Sequence, residues 1–550
     1  MSVGGPEIMG SPAFTEEESA GYRAAGWWSD QTLSDAVRRN AERSADRAAY
    51  IDGAKASLNW REFDSAASAL ADQLAGVGVA RGDRVGVWHG DSAAIHVLFV
   101  AIERCGAVVV GIGARAGARE AAAILRSSRP KILISDRARA DVAAQSAADT
   151  AARAADAPMS VLVTNHVGLL SLNVAAHPEA QHSGVGAESQ LGADDVFLIN
   201  STSGTTGLPK CVVHTQNRWR YFHQKAVVNG LLTPDEIFLP VIPTPFGFGI
   251  WTSHTTPIYL GATTVILERF TPRAACEAMA RHQVTVLCCV STQLTMLMAD
   301  RACRDYDLSS LRVVFAGGEA LPYRPAAEFE KLTGAKILQF YGSNETGLLS
   351  ATTLEDSLQR RLRTGGRIVP EMRVRLFDGD QDVTGTGRGQ PACRGPATSL
   401  GYLGGIDHDK LFTHDGWMRM GDICEIDTDG YLSVTGRTAD FILRGGKNIS
   451  AAQVEDAVLT HPAVALAAAV AMPDPVFGER VCVYLELTDA QTIDLPGLVD
   501  HLLALGVSKE LLPERLIVLN ELPRSSGGKI AKAELRQDIR TRMEGDHERS

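Results

Sequence analysis

Three things are scarce in this 550-residue chain, and each scarcity excludes something. Cysteine is limited to nine residues, an odd number with no Cys-x-x-Cys pair, so neither a disulfide framework nor a zinc knuckle is expected. Buried small thiols in a reducing compartment fit better. Positive charge is in deficit, with 54 Lys and Arg against 65 Asp and Glu and a net charge of -11, which argues against bulk nucleic-acid binding. No apolar run reaches the roughly 18 residues of a membrane span, and Met1 to Ala20 holds a Glu16-Glu-Glu18 run without an apolar signal core. The expectation is a cytoplasmic protein with no membrane span and no nucleic-acid partner.

What is present fits a globular protein, with 45% hydrophobic and 22% charged residues. Between Asp83 and Gly113 an apolar run, Val85 to Trp88, leads through a helical stretch, Ala93 to Cys105, to a second run, Ala107 to Val110. Strand, crossover helix and strand in that order predict a parallel sheet. Similar runs recur at Lys131 to Ile134, Val161 to Val163, Val284 to Leu287, Val313 to Phe315 and Ile337 to Phe340. Ala138 to Ala157, rich in alanine, is expected to be a surface helix, and His177 to Asp194 a loop.

From Ile368 onward short runs such as Met372 to Leu376 are divided by Gly/Asp turns, which predicts a β-rich subdomain over about 368–436. A last unit begins after Gly436, with a helix at Ala451 to Thr460, strands at Val464 to Ala471 and Val481 to Leu487, and a polar tail. The expected fold is therefore α/β. A large domain, 1–437, has parallel-type sheets with crossover helices, and a small mobile α+β domain spans 438–550.

Ser201-Thr-Ser-Gly-Thr-Thr-Gly-Leu-Pro-Lys210 follows the apolar run Val196 to Ile199. Glycines let backbone N–H groups turn toward an anion, hydroxyls add donors and Lys210 adds a mobile charge, so the segment can cradle a polyphosphate. It is not the common phosphate loop, because Pro209 precedes Lys210 and Cys211 follows it.

Further stretches accompany this loop: Ala316-Gly-Gly-Glu-Ala-Leu321, Gln339-Phe-Tyr-Gly-Ser-Asn-Glu-Thr-Gly347, Gly416 to Asp422, Gly436 to Asp440 with Gly445 to Ile449, and Pro523 to Ile530. In this order they resemble the adenylate-forming superfamily of acyl-CoA synthetases, aryl-acid ligases, adenylation domains and firefly-type luciferases. The resemblance covers roughly residues 30 to 535. It implies attack of a carboxylate on the α-phosphate of ATP, then displacement of AMP from the acyl-adenylate by a thiol, with ATP, Mg2+ and coenzyme A as cofactors.

Site residues follow from the resemblance position by position. Thr202, Ser203, Gly204, Thr205, Thr206, Gly207 and Lys210 would hold the phosphates. Glu345 would bind magnesium with Thr205 as a second contact. Adenine would lie between Gly317, Gly318 and Glu319 on one side and Gln339, Tyr341, Gly342 and Ser343 on the other. Asp422 and Arg437 would meet the ribose. Lys529 would be the catalytic lysine, reaching the carboxylate and the α-phosphate, whereas Lys532 is expected to be a solvated charge. Ala439 would be the hinge about which the small domain rotates, with Gly445 and Gly446 presenting the coenzyme A face.

The family commonly has Asp or Lys at the hinge, glycine where Cys211 stands and threonine where Met420 stands. The acyl pocket would be lined by Phe246, Gly247, Phe248, Trp251, Gly317 and Leu348. Its bulk suits an aromatic, alicyclic or short to medium aliphatic acid. No carboxylate in this segment could pair with an α-amino group, and no carrier domain follows. Coenzyme A is the leading acceptor, a separate carrier protein the alternative, and a non-catalytic nucleotide sensor the reading from another class.

Overall fold

The computed structural model of the protein describes residues 14–52, 56–136, 150, 160–165, 171–172, 190–202, 209–437, 440–444, 447–488, 491–525 and 528–547. Among the described residues the chain forms four sheets. Two have parallel centres. In one, Ile132–Ser135, Arg84–Trp88, Val108–Ile112 and Val196–Thr202 lie side by side, and Lys210–Thr215 closes the edge antiparallel. In the other, Ile237–Pro240, Val286–Cys289, Val313–Gly317 and Lys336–Ser343 run parallel, and Gly347–Ala351 returns antiparallel.

The central strands read as unbroken apolar runs because helices cover both faces. Every residue of Val108–Ile112 and of Val286–Cys289 is buried. The strand expected at Val284 starts two residues later. Gln283 takes a left-handed conformation at φ +51°, and the Val284 N–H closes the end of the Pro272–His282 helix on the Met279 carbonyl, so Val284 belongs to the cap.

Residues Arg373–Arg437 supply the strands of a third, antiparallel sheet, as the Gly/Asp turns predicted. The fourth sheet comes from Phe441–Val518, where the hairpin Val464–Asp474 with Gly478–Leu487 pairs with Phe441–Arg444 and, in parallel, with Arg515–Val518. The expected polar tail is a helix, Lys532–His547. Its charged residues masked a short apolar stripe: Leu535 and Ile539, four apart, are buried against Leu466, Val470 and Tyr484. The segment 138–157 falls, but for Thr150, outside the described residues, and the 177–194 loop is described only from Gln190.

Candidate active site

Two neighbouring strands, Val313–Gly317 and Lys336–Ser343, end together with Gly317 opposite Phe340. Beyond their carboxyl ends lies a cavity of about 1230 Å3, where ligands collect in open α/β sheets. Gly317, Gly318, Glu319, Gln339, Tyr341 and Gly342 all line it. Gly342 is packed so closely that a Cβ there would stand 1.7 Å from the Gly347 carbonyl oxygen.

Asp422, also on the wall, starts the strand Asp422–Ile426 and pairs in register with Arg437. The Tyr341 hydroxyl donates to Asp422 Oδ2 at 2.8 Å. Burial pushes the Tyr341 phenol well up, and the Asp422 charge adds to this, so the phenol stays a donor. Gln339 and Glu319 are fixed as well. The Gln339 amide donates to the Arg361 carbonyl at 2.7 Å, and the Glu319 carboxylate accepts from the Thr292 N–H at 3.1 Å and its hydroxyl at 2.9 Å. Ser343 Oγ accepts from the Glu345 N–H at 3.2 Å and so shapes the turn into that residue.

The opposite wall comes from the C-terminal unit. Lys529 Nζ donates to the Gly318 carbonyl at 2.7 Å. Gly318 sits at φ +81°, and a Cβ there would lie 3.0 Å from that ammonium, so glycine clears the lysine's approach. Lys532 instead pairs with Glu455 of its own unit at 2.7 Å. Sequence reading placed Lys532 in solvent; it is a structural ion pair. Other contacts also join the walls: Arg324 donates to the Thr460 carbonyl at 3.1 Å, and Met296 packs on the cluster around Leu466.

Of the phosphate-loop residues, Thr202 and Pro209 line the cavity, while Ser203, Gly204, Thr205, Thr206 and Gly207 lie outside the described residues. Lys210 forms an ion pair with Asp407 at 2.8 Å, which holds the Asp407 carboxyl down at about 2. The ammonium also stands 4.9 Å from the centre of the Tyr402 ring, whose hydroxyl donates to Glu345 Oε1 at 2.7 Å. Tyr402 thus links Lys210 to Glu345. Beneath them the buried Arg218 donates to the carbonyls of Asn344 and Ala397, each at 2.8 Å. Burial draws its pKa down to about 9, against the pull of Glu345.

The aromatic residues expected around the acyl group separate. Phe248 stands beside Gly317, 3.9 Å from where a Cβ would be. Trp251 is 2% exposed, stacked on Phe248 with centroids 5.4 Å apart and packed on Phe340 at 4.7 Å and Phe315 at 5.4 Å. Leu348 is buried, Phe246 is partly exposed, and Gly247 lies against the Asn344 side chain. Arg437 is placed by its backbone alone, and Ala439, Gly445 and Gly446 lie outside the described residues.

Residues 37–403 match the family described as AMP-binding enzyme, and residues 453–529 match the AMP-binding enzyme C-terminal domain. The chain belongs to the AMP-binding enzyme family. This AMP-binding enzyme is 30% identical to the medium-chain fatty-acid–CoA ligase of Escherichia coli (strain K12) over 554 residues, covering 97% of this chain and 95% of that one. It is 30% identical over 551 residues to the salicyl-AMP ligase / salicyl-S-ArCP synthetase of Mycobacterium tuberculosis (strain ATCC 25618 / H37Rv), covering 96% and 94%. The crystal structure of the anthranilate CoA ligase AuaEII in complex with anthranoyl-AMP shares the fold, with a TM-score of 0.81, 24% identity and coverage of 93% of this chain and 98% of that one. The protein is an enzyme of the adenylate-forming ligase class.

Several residues of this AMP-binding enzyme's site were not found by sequence reading. Tyr402 and Asp407 sit in an unremarkable Gly-Tyr turn far along the chain from Lys210. Arg218 lies in a helix with no motif of its own. Arg115 and Arg119, which line the cavity after the strand Val108–Ile112, could have been found from the rule that loops at strand carboxyl ends carry function.

Proposed function

We propose that the protein activates a carboxylic acid with ATP as an acyl-adenylate, releasing pyrophosphate, and transfers the acyl group to the thiol of coenzyme A. The observation that carries the reading is Lys529, whose ammonium crosses from the C-terminal unit to the Gly318 carbonyl at the mouth of the nucleotide cavity. There it can hold the incoming carboxylate and the α-phosphate together, stabilising charge on both.

Asp422, held by Tyr341, is suited to accept from ribose hydroxyls. Glu345 offers magnesium one carboxylate. That suffices for an ion that binds through one or two carboxylates with waters and substrate phosphates. The ion would neutralise phosphate charge. The aromatic cluster around Trp251 fills the space beside Gly317, which supports a compact acid, aromatic, alicyclic or short to medium aliphatic.

A carrier-protein thiol is the second reading, favoured by the S-ArCP product named for the mycobacterial relative. Mass spectrometry of thioesters formed from ATP, magnesium, a mixed acid panel and either coenzyme A or a phosphopantetheinyl carrier separates the two. Acyl-CoA supports the proposal. Acyl-carrier alone supports the second reading, and absence of acid-dependent pyrophosphate release sinks both.

A further inference from the structure

Arg218 is costly where it stands. Its guanidinium is fully buried, yet among the described residues it has no ion pair and its Nη2 has no hydrogen-bond partner. Taking an unpaired charge out of water works against stability, so its position points to the site rather than to the fold. What it does touch is specific. From the helix Gln216–Gly230, Nε donates to the Ala397 carbonyl at 2.8 Å, and Nη1 donates both to the Asn344 carbonyl at 2.8 Å and to His214 Nδ1.

That last contact orders a chain of buried groups. A guanidinium can only donate, so His214 Nδ1 accepts. Burial, with Arg218 beside it, holds the imidazole pKa well down, so the ring is neutral and its one hydrogen sits on Nε2. Nε2 therefore donates to Asn200 Oδ1 at 2.7 Å. With that oxygen accepting, the Asn200 amide has one orientation. Its Oδ1 also accepts from Asn344 Nδ2 at 2.7 Å, and its Nδ2 donates to the Pro245 carbonyl at 2.8 Å and to Asn344 Oδ1 at 3.3 Å. Asn344 Oδ1 in turn lies 2.6 Å from where a Cβ on Gly247 would be. The chain thus starts at the peptide that leads into Glu345 and ends on Pro245 and Gly247, in the segment expected to meet the acid. Arg218, His214 and Asn200 themselves do not line the cavity.

We infer that Arg218, His214 and Asn200 are positioning residues that lock the Asn344–Glu345 turn to the Pro245–Gly247 segment, and so fix the acid relative to the phosphate it attacks. The inference rests on the proposed adenylation. In that step a carboxylate oxygen bonds to the α-phosphorus, the bond from that phosphorus to the α,β-bridging oxygen breaks, and pyrophosphate leaves with the electron pair. Misplacing the two reactants by a fraction of an ångström slows such a step without weakening the nucleotide's own contacts. The chain is therefore expected to show itself in the rate of adenylation and not in nucleotide affinity.

The test pairs single-turnover adenylation, with an acid accepted by the wild type, with titration calorimetry of AMP, in the full chain carrying His214→Leu, Asn200→Leu, both together, or His214→Gln. Each Leu variant is expected to slow adenylation about tenfold with the AMP Kd within twofold of wild type. The double variant should be no slower than the worse single one by more than about twofold, because both changes cut the same chain. His214→Gln should recover most of the rate, since its amide can accept from Arg218 and donate to Asn200. A Gln variant as slow as the Leu variant overturns the inference, as does a rate loss matched by an equal loss of AMP affinity. Unchanged rates in both Leu variants, with the wild type active, overturn the positioning role alone. A wild type that forms no acyl-adenylate from any acid overturns the adenylation reading and the positioning role with it.

Discussion

The two walls of the cavity are built differently. On the large-domain side several polar groups are already engaged: Tyr341 with Asp422, Gln339 with the Arg361 carbonyl, Glu319 with Thr292, and Arg218 with the carbonyls of Asn344 and Ala397. On the C-terminal side the ion pairs Lys532–Glu455 and Arg536–Asp440 lie within the unit, and among the described residues Lys529 to Gly318 and Arg324 to Thr460 are polar contacts that tie it to the large domain. On the proposed function the first wall is preorganised and the second is delivered. A nucleotide should therefore be bound by one wall and made reactive by the other.

The sharpest way to break this comparison is Lys529→Ala. Acyl-adenylate formation should fall at least about a hundredfold, the scale of losing one charge-stabilising donor. Thioester formation from supplied acyl-adenylate should stay within a few-fold of wild type. Single-turnover assays of the two half-reactions check it, and equal losses in both would contradict a role confined to the first.

On the fixed wall, Asp422→Ala should raise the ATP KM about tenfold or more by removing a charged acceptor, whereas Tyr341→Phe should raise it only a few-fold, since the carboxylate remains. Steady-state kinetics with ATP varied give both. An equal effect of the two changes would mean that the phenol itself meets the nucleotide.

Arg324→Ala removes a docking contact without touching the cavity's nucleotide end. Its expected effect is smaller, roughly a threefold slower first half-reaction with the ATP KM unchanged, the scale of one exposed hydrogen bond. A shifted ATP KM would place Arg324 in nucleotide binding instead.

How much of this was legible in the sequence depended on the range of the interaction. Central strands such as Val108–Ile112 declare themselves because both faces are covered and the run is wholly apolar. Lys529 was legible through its Pro523 to Ile530 motif, and the structure supplies its partner, Gly318. Tyr402, Asp407 and Arg218 were not legible, because each acts through a contact far away in the chain. Tyr402 reaches Glu345 across 57 positions, and Arg218 reaches Ala397 across 179. The tail helix was hidden by composition, since two buried residues, Leu535 and Ile539, are too few to outweigh its charges. The aromatic residues near Gly317 could be read as pocket or core. Packing puts Trp251 in the core and leaves Phe248 at its edge.

A further effect falls on stability rather than turnover, and concerns pH and the large domain alone. Burial raises the Glu103 carboxyl to about 7 from an ordinary 4.5, although it accepts from the Ser34 N–H at 3.0 Å. A carboxyl whose folded pKa is raised binds its proton more tightly in the folded state. Its contribution is full below 4.5 and is lost as pH rises through about 7. Glu103→Gln should remove this dependence, on the order of 3 kcal/mol at most, from urea unfolding between these limits, with both half-reactions unchanged in ratio. An identical pH profile in the variant would assign the dependence to another group.

The most direct test of the two-wall account is AMP binding to Lys529→Ala by titration calorimetry, beside single-turnover adenylation by the same preparation. The account predicts a Kd within about threefold of wild type together with an adenylation rate lowered by about a hundredfold or more. A Kd weakened in step with the rate would mean that the lysine holds the nucleotide from the outset, and that the large-domain wall is not a binding site by itself.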